Sequence, residues 1–221
     1  MRDEGGKQKK LRLIDRIRLG GFYKTGCIDG VQVEYLADGA FERVQAAMNL
    51  IKRWDPLRYR RLIADIHHIS ITVLAEGHAG QYRAAAAVCE IDERFLMAPG
   101  RPAEAVAALI VHEATHARLG GLGFGYEEER RSRVEATCLR REVAFLSRLP
   151  NTPAARQLIA GSRDTADNLP DLSNQALSIR HHGAARDALV YLGVPKWAVA
   201  VIVGAAAVPR AALQLVRRQR R

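Results

Sequence analysis

The sequence lacks the marks of several common protein classes. It holds three cysteines in 221 residues, Cys27, Cys89 and Cys138. They are odd in number and none stands in C-x-x-C spacing, which argues against a disulfide framework and suits a reducing compartment. The first stretch, Met1 to Gly21, has no apolar h-region and does not read as a secretory signal. A membrane-spanning helix needs about 20 apolar residues. The apolar stretch Val194 to Val208 has thirteen uncharged residues between Lys196 and Arg210, so it reads as a buried or interfacial helix. Internal repeats and low-complexity segments are absent. What remains is the composition of a globular protein, 48% hydrophobic and 26% charged, long enough to bury a full core.

The net charge of +10 has a location. Residues 1–20 carry seven Lys/Arg against three acids, a net +4, and residues 210–221 carry five Arg and no acid, a net +5. The body between them sums to about +1. A near-neutral body makes nucleic acid an unlikely partner. The basic tails by themselves suit anionic lipid heads, nucleic acid or an acidic partner, and serve equally well as solubilising ends. Lys9 to Leu19 alternates basic and aliphatic residues and predicts a short amphipathic helix, packed on the body or lying on a membrane. Trp197 and the closing Arg-rich run would suit peripheral membrane contact; a core helix with a charged tail is the alternative. The expected location is cytoplasmic, at most peripheral to the membrane.

The chain divides into a basic N-terminal segment with a hairpin (1–37), a core (38–150) and a helical C-terminal region (151–221). Turn signals at Thr25-Gly26 and Asp29-Gly30 place the hairpin within 22–36. Asp38 and Pro56 open helices through about Trp54 and Ala64. Ile66 to Leu74 is a strand by its β-branched content, and Tyr82 to Ile91 a second one continuing toward Met97. Pro99 and Pro102 precede an apolar helix from Ala103 to Leu119, which the glycines at 120–125 end. A long charged helix follows from about Tyr126 to Leu149, then helices over 154–165 and 172–192. Helices, then strands, then helices indicate an α+β fold.

The apolar helix carries His112-Glu113-Ala114-Thr115-His116, an H-E-x-x-H motif. Residues four apart share a helix face, so His112 and His116 can reach one point in space. Two imidazoles there supply two of the three protein ligands of a catalytic zinc site. Glu113 is offset by about 100° and sits where it takes a proton from water rather than ligating. Two histidines and a glutamate entering a buried helix are costly without partners, and a metal ion is such a partner. The metzincin continuation is excluded, because the positions three and six residues after His116 are Leu119 and Leu122.

A third ligand is sought on the charged helix. Glu135 lies on the stripe Glu135, Leu139, Glu142, Leu146, Leu149, which faces the core, whereas Glu127 to Glu129 read as a solvated first turn. Glu135 follows His116 by nineteen residues. The stretch Ala103 to Leu149 resembles the gluzincins, zinc peptidases in which a glutamate from the next long helix completes an H-E-x-x-H site. The order of strands ahead of it is similar to that of the compact minimal gluzincins.

The resemblance implies a zincin-like fold, a small sheet packed on an active-site helix and a glutamate helix. It implies Zn²⁺ held by His112, His116 and Glu135, Glu113 as general base, and a peptide or protein substrate. Many gluzincins carry a small residue or an acid three or four after the third ligand; here those places hold Cys138 and Leu139. Glu142 and Asp187 are candidates for the acid that orients a histidine. Tyr126, His181 and His182 are candidate oxyanion donors by residue type and rough position. His67 and His68 face opposite ways on a strand, so at most one points into a cleft. Two other readings stay open: a non-catalytic metal-binding regulator or membrane-associated module, with Cys138 as a ligand that closes the site, and a protease of one narrow substrate.

Overall fold

The computed structural model describes residues 23–74, 77–177, 186, 189–190, 194–199 and 201. The expected helix over Lys9–Leu19, both basic ends, and the side chains of His181, His182 and Asp187 lie outside the described residues. Strands β1 (Lys24–Ile28) and β2 (Val31–Tyr35) form an antiparallel hairpin. Its two turn residues, Asp29 and Gly30, both have positive φ (48° and 90°), the backbone that an Asp-Gly pair favours. Helices α1 (Ala40–Trp54) and α2 (Pro56–Asp65) then cross over to β3 (His68–Thr72), which runs parallel to β2. Strands β4 (Gly80–Arg83) and β5 (Val88–Asp92) complete a five-stranded mixed sheet of order β1-β2-β3-β5-β4. The architecture is α+β, with β4 at a free edge of the sheet.

The single strand expected over Tyr82–Ile91 is instead two strands, β4 and β5, joined by a turn at Ala84–Ala87. Four alanines offer no β-branched surface to a sheet, and Ala87 takes a positive φ of 53° to close the turn. The expected extension toward Met97 is also a different element. Asp92 accepts a hydrogen bond from the Phe95 amide at 3.1 Å and starts a short helix, α3 (Glu93–Met97).

One sheet face is buried at alternate positions: Val31 and Val33, Ile69 and Ile71, Cys89 and Ile91 are all fully covered. Against it lie Val44, Ala47, Met48 and Ile51 of α1, and helix α4 (Ala103–Gly121). Ala105 to Ala108, Ile110 and Val111 are buried, which is why α4 reads as apolar nearly all round. Gly80 sets how closely α4 meets the edge strand. A Cβ there would lie 3.0 Å from Leu109 and 3.1 Å from the Glu90 carbonyl oxygen. Its absence lets the strand lie against the helix just before His112. Helices α5 (Glu128–Leu146) and α6 (Pro153–Asp167) finish the described core, with α5 packed on both α4 and α6. Among the described residues no helix is long and apolar enough to cross a membrane.

Asp55 fastens three of these elements. It is 2% exposed, its carboxylate accepts from the Arg58 amide at 3.2 Å, and it pairs with Arg58 at 2.9 Å and with Arg148 at 2.8 Å. Arg148 stands just beyond α5, so one carboxylate joins the start of α2 to the end of α5. Asp55→Ala removes a helix cap and leaves a half-buried guanidinium without its anion. A loss of about 2–4 kcal/mol is expected, measured as a lower urea midpoint with unchanged slope.

Candidate metal centre

Helix α4 presents His112 and His116 from one face, with their Nε2 atoms 3.3 Å apart. Helix α5 brings Glu135 to both: Oε2 lies 3.2 Å from His112 Nε2, and Oε1 lies 3.4 Å from His116 Nε2. The two nitrogens thus face one carboxylate, each meeting a different oxygen. Two ligands of one tetrahedral ion at 2.0–2.1 Å stand roughly 3.3–3.4 Å from each other, which the two imidazole nitrogens match. Two imidazoles and a carboxylate are a donor set that can hold a metal ion.

Cys138, one turn beyond Glu135, also reaches this place. His112, His116 and Cys138 each offer a ligating atom within 4.8 Å of the others, a group that can hold a metal ion. The two candidate third donors differ in environment. Glu135 touches both histidines, and its carboxyl is held far below the usual range. Burial alone would raise it, but hydrogen bonds from His112 and His116, the charge of His116 and a hydrogen bond from Tyr126 prevail. Cys138 is fully buried. Burial, then the charges of Glu135, Glu113 and Glu142, push its thiol well above the usual range. In the metal-free protein these surroundings favour the Glu135 carboxylate and disfavour the Cys138 thiolate.

His112 is held from its other side as well. Its Nδ1 donates to Glu142 at 3.1 Å, and Glu142 in turn accepts from the Ser162 hydroxyl at 2.6 Å. Ser162 belongs to α6, so a three-helix chain of hydrogen bonds fixes the ring and directs Nε2 at Glu135. An outer carboxylate that fixes a ligating imidazole is the common arrangement in metal centres. Glu142 fills this place, where the sequence left Glu142 and Asp187 both open. Tyr126 donates its hydroxyl to Glu135 Oε1 and stands edge-on to the His116 ring at 5.5 Å. Burial, followed by the bond to Glu135, raises its phenol far above the usual range.

Glu113 points elsewhere, as its place on the helix requires. It is 4% exposed and takes a hydrogen bond from the Tyr82 main chain on edge strand β4. Burial raises its pKa, and the two histidines offset this only in part. His112, Glu113, His116, Tyr126 and Glu135 all line one cleft of about 1040 Å³, whose other wall is Gly80–Ala84 of the edge strand and its turn. His78 and Arg131 line it too. Neither was singled out by spacing, because each reaches the cleft only through the tertiary fold. His67 and His68 do not line it. His68 is buried against Glu34, with Nε2 3.2 Å from its carboxylate.

Compared with protein-family models, curated proteins and solved structures, the chain matches none. The resemblance therefore rests on the motif and the convergence of side chains alone.

These contacts have three measurable consequences. Burial would lower the His112 pKa, but its hydrogen bonds to Glu135 and Glu142 outweigh this and lift it to about 10, against an ordinary 6.5. Protonated His112 therefore stabilises the metal-free fold fully below pH 6.5, and this contribution disappears as pH rises through about 10. Urea midpoints of the metal-free protein are expected to fall across that window, and His112→Ala to flatten the fall. Zinc titrations in weak buffer should release protons, with affinity rising with pH over the same range. Glu142→Ala frees the His112 ring and is expected to weaken zinc binding by about 10–100-fold, read by competition with a chelating dye.

Proposed function

We propose that this chain is a zinc-dependent hydrolase that cleaves amide bonds in a peptide or protein, in the manner of a gluzincin. His112, His116 and Glu135 would hold the ion, and residues 38–150 would be the metallopeptidase core. One observation carries the reading: Glu113, a buried carboxylate bonded to the Tyr82 main chain, stands beside the candidate ligands on the cleft wall. A purely structural metal site has no use for such a group. Bound zinc supplies Lewis acidity, which makes water nucleophilic near neutral pH and polarises a carbonyl.

The chain's own residues do the rest. Glu113 takes the proton of the attacking water and hands it to the leaving amine. Its raised pKa suits that exchange, since a base poised nearer neutrality both accepts and returns a proton readily. The Glu142–His112 and Tyr126–Glu135 hydrogen bonds keep the ligands oriented. Strand β4 is an edge of the described sheet, and its main-chain groups other than the Tyr82 amide held by Glu113 would pair with an extended substrate and bring its carbonyl to the site. Tyr126, the described candidate for oxyanion donor, lies next to His116 and would serve only by turning its hydroxyl away from Glu135. The basic ends would give a peripheral membrane contact, to which Trp197, 73% exposed, would contribute.

A second reading is favoured by Cys138. A site closed by the Cys138 thiolate as a fourth ligand beside His112, His116 and Glu135 would be a non-catalytic metal centre. Two variants separate the readings. Glu113→Gln is expected to keep about one zinc per chain and to lower peptide cleavage by about 10²–10⁴-fold. Cys138→Ser is expected to keep both zinc and cleavage. Loss of zinc from Cys138→Ser, with Glu113→Gln leaving zinc binding and the absence of cleavage unchanged, would establish the second reading instead.

A further inference from the structure

Arg131 is a buried cation that the proposed chemistry does not use. It is 9% exposed and lines the cleft on α5, four residues before Glu135. Three neutral oxygens hold it. Its Nε donates to the Tyr126 carbonyl at 3.1 Å, one terminal nitrogen to the Leu172 carbonyl at 2.8 Å, and the other to the Asn174 side-chain oxygen at 2.6 Å. Among the described residues Arg131 forms no ion pair, and the acids near it are engaged elsewhere. Glu127 faces Arg130 at 3.8 Å, Glu128 receives both the main-chain and side-chain nitrogens of Asn174, and Glu135 faces the two histidines. A guanidinium has five N–H donors, and three are occupied.

A buried charge without a counter-charge is unfavourable and persists where something else neutralises it. The charges of the cleft point the same way. Arg83, the other cation on its wall, is already paired with Glu90 at 2.8 Å. The grip of two carbonyls and an amide on Arg131 fixes the planar fork, which matches a carboxylate in two-point contact.

We infer that Arg131 anchors a carboxylate of the peptide bound in this cleft. The substrate class is then a peptide bearing an anionic group next to the bond to be cut. Residues four apart on a helix stand about 5–6 Å apart at Cβ, and an extended peptide advances about 3.3 Å per residue. The carboxylate would therefore lie one or two residues from the scissile bond. It belongs either to an Asp or Glu side chain or to the C-terminus. This inference rests on the hydrolase reading for the word substrate but not for the binding itself.

The test is binding of labelled six-residue peptides to the zinc-loaded full chain, followed by fluorescence anisotropy at fixed salt. One peptide has a free C-terminal carboxylate, one set is amidated with a single Glu scanned through the sequence, and one is amidated with no acid. At least one acidic form is expected to bind about tenfold or more tightly than the neutral peptide. Which form does so identifies the terminal or the side-chain carboxylate. Arg131→Gln is expected to abolish the preference and leave affinity for the neutral peptide unchanged. Arg131→Lys, which keeps the charge in case Gln unfolds the loop, should retain a reduced preference. Asn174→Ala loosens the same loop without touching the charge and should keep the preference. The inference is overturned if wild type binds no acidic peptide or shows no preference, if Arg131→Gln keeps the preference, or if Asn174→Ala loses it. Peptides bound with the preference but never cut would sink the hydrolase reading alone; peptides cut without preference would sink only the anchor.

Discussion

A mostly buried imidazole held between two carboxylates is the constraint on which the cleft depends. Glu142 holds His112 at Nδ1 and Glu135 approaches it at Nε2, so the ring cannot turn without losing a charged hydrogen bond at one end or the other. Each of these acids is itself held, Glu142 by Ser162 and Glu135 by Tyr126. The chain of contacts runs from α6 through α5 and α4 to the loop before α5. Carboxylates with so little exposure would be costly if any one of them were left unpaired. The cost is avoided because all are satisfied together, which makes the spacing of the donor atoms a property of three packed helices rather than of one flexible side chain.

The sheet serves the same place from the opposite side. Alternating apolar residues bury one face against α1 and α4, and this fixes the height of α4 over the strands. Gly80 then lets the edge strand come within reach of Leu109, and the Tyr82 main chain meets Glu113. The general-base candidate and the strand edge are therefore set by one packing contact. A side chain at position 80 would act on both at once.

Much of this was readable from spacing, and the parts that were not share a cause. His112 and His116 announce themselves as polar residues four apart inside an apolar helix. Glu135 and Glu142 sit on the only stripe of the charged helix that also carries Leu139, Leu146 and Leu149, so their approach to α4 follows from periodicity. The α+β order was legible from β-branched runs and helix caps. The Ala84–Ala87 turn was not, because four alanines carry no turn signal and the positive φ at Ala87 is imposed by pairing of the flanking strands. Ser162, the Tyr82 main chain and Arg131 with its loop were also hidden. Their partners lie 20 to 43 residues away along the chain, beyond any helical or strand period.

The donor atoms come from a short span. His112 to Glu142 is thirty residues, two helices and one connection. Tyr82 and the strand edge, by contrast, belong to the earlier sheet. The two halves of the cleft therefore come from different stretches of the chain. A helical hairpin lifted onto another scaffold would carry His112, His116, Glu135 and Glu142 with it, but not Ser162, which holds Glu142 from the next helix. It would also leave behind the strand that braces Glu113. The candidate ligands are local in this chain, whereas their spacing and the setting of Glu113 are properties of the assembled layers.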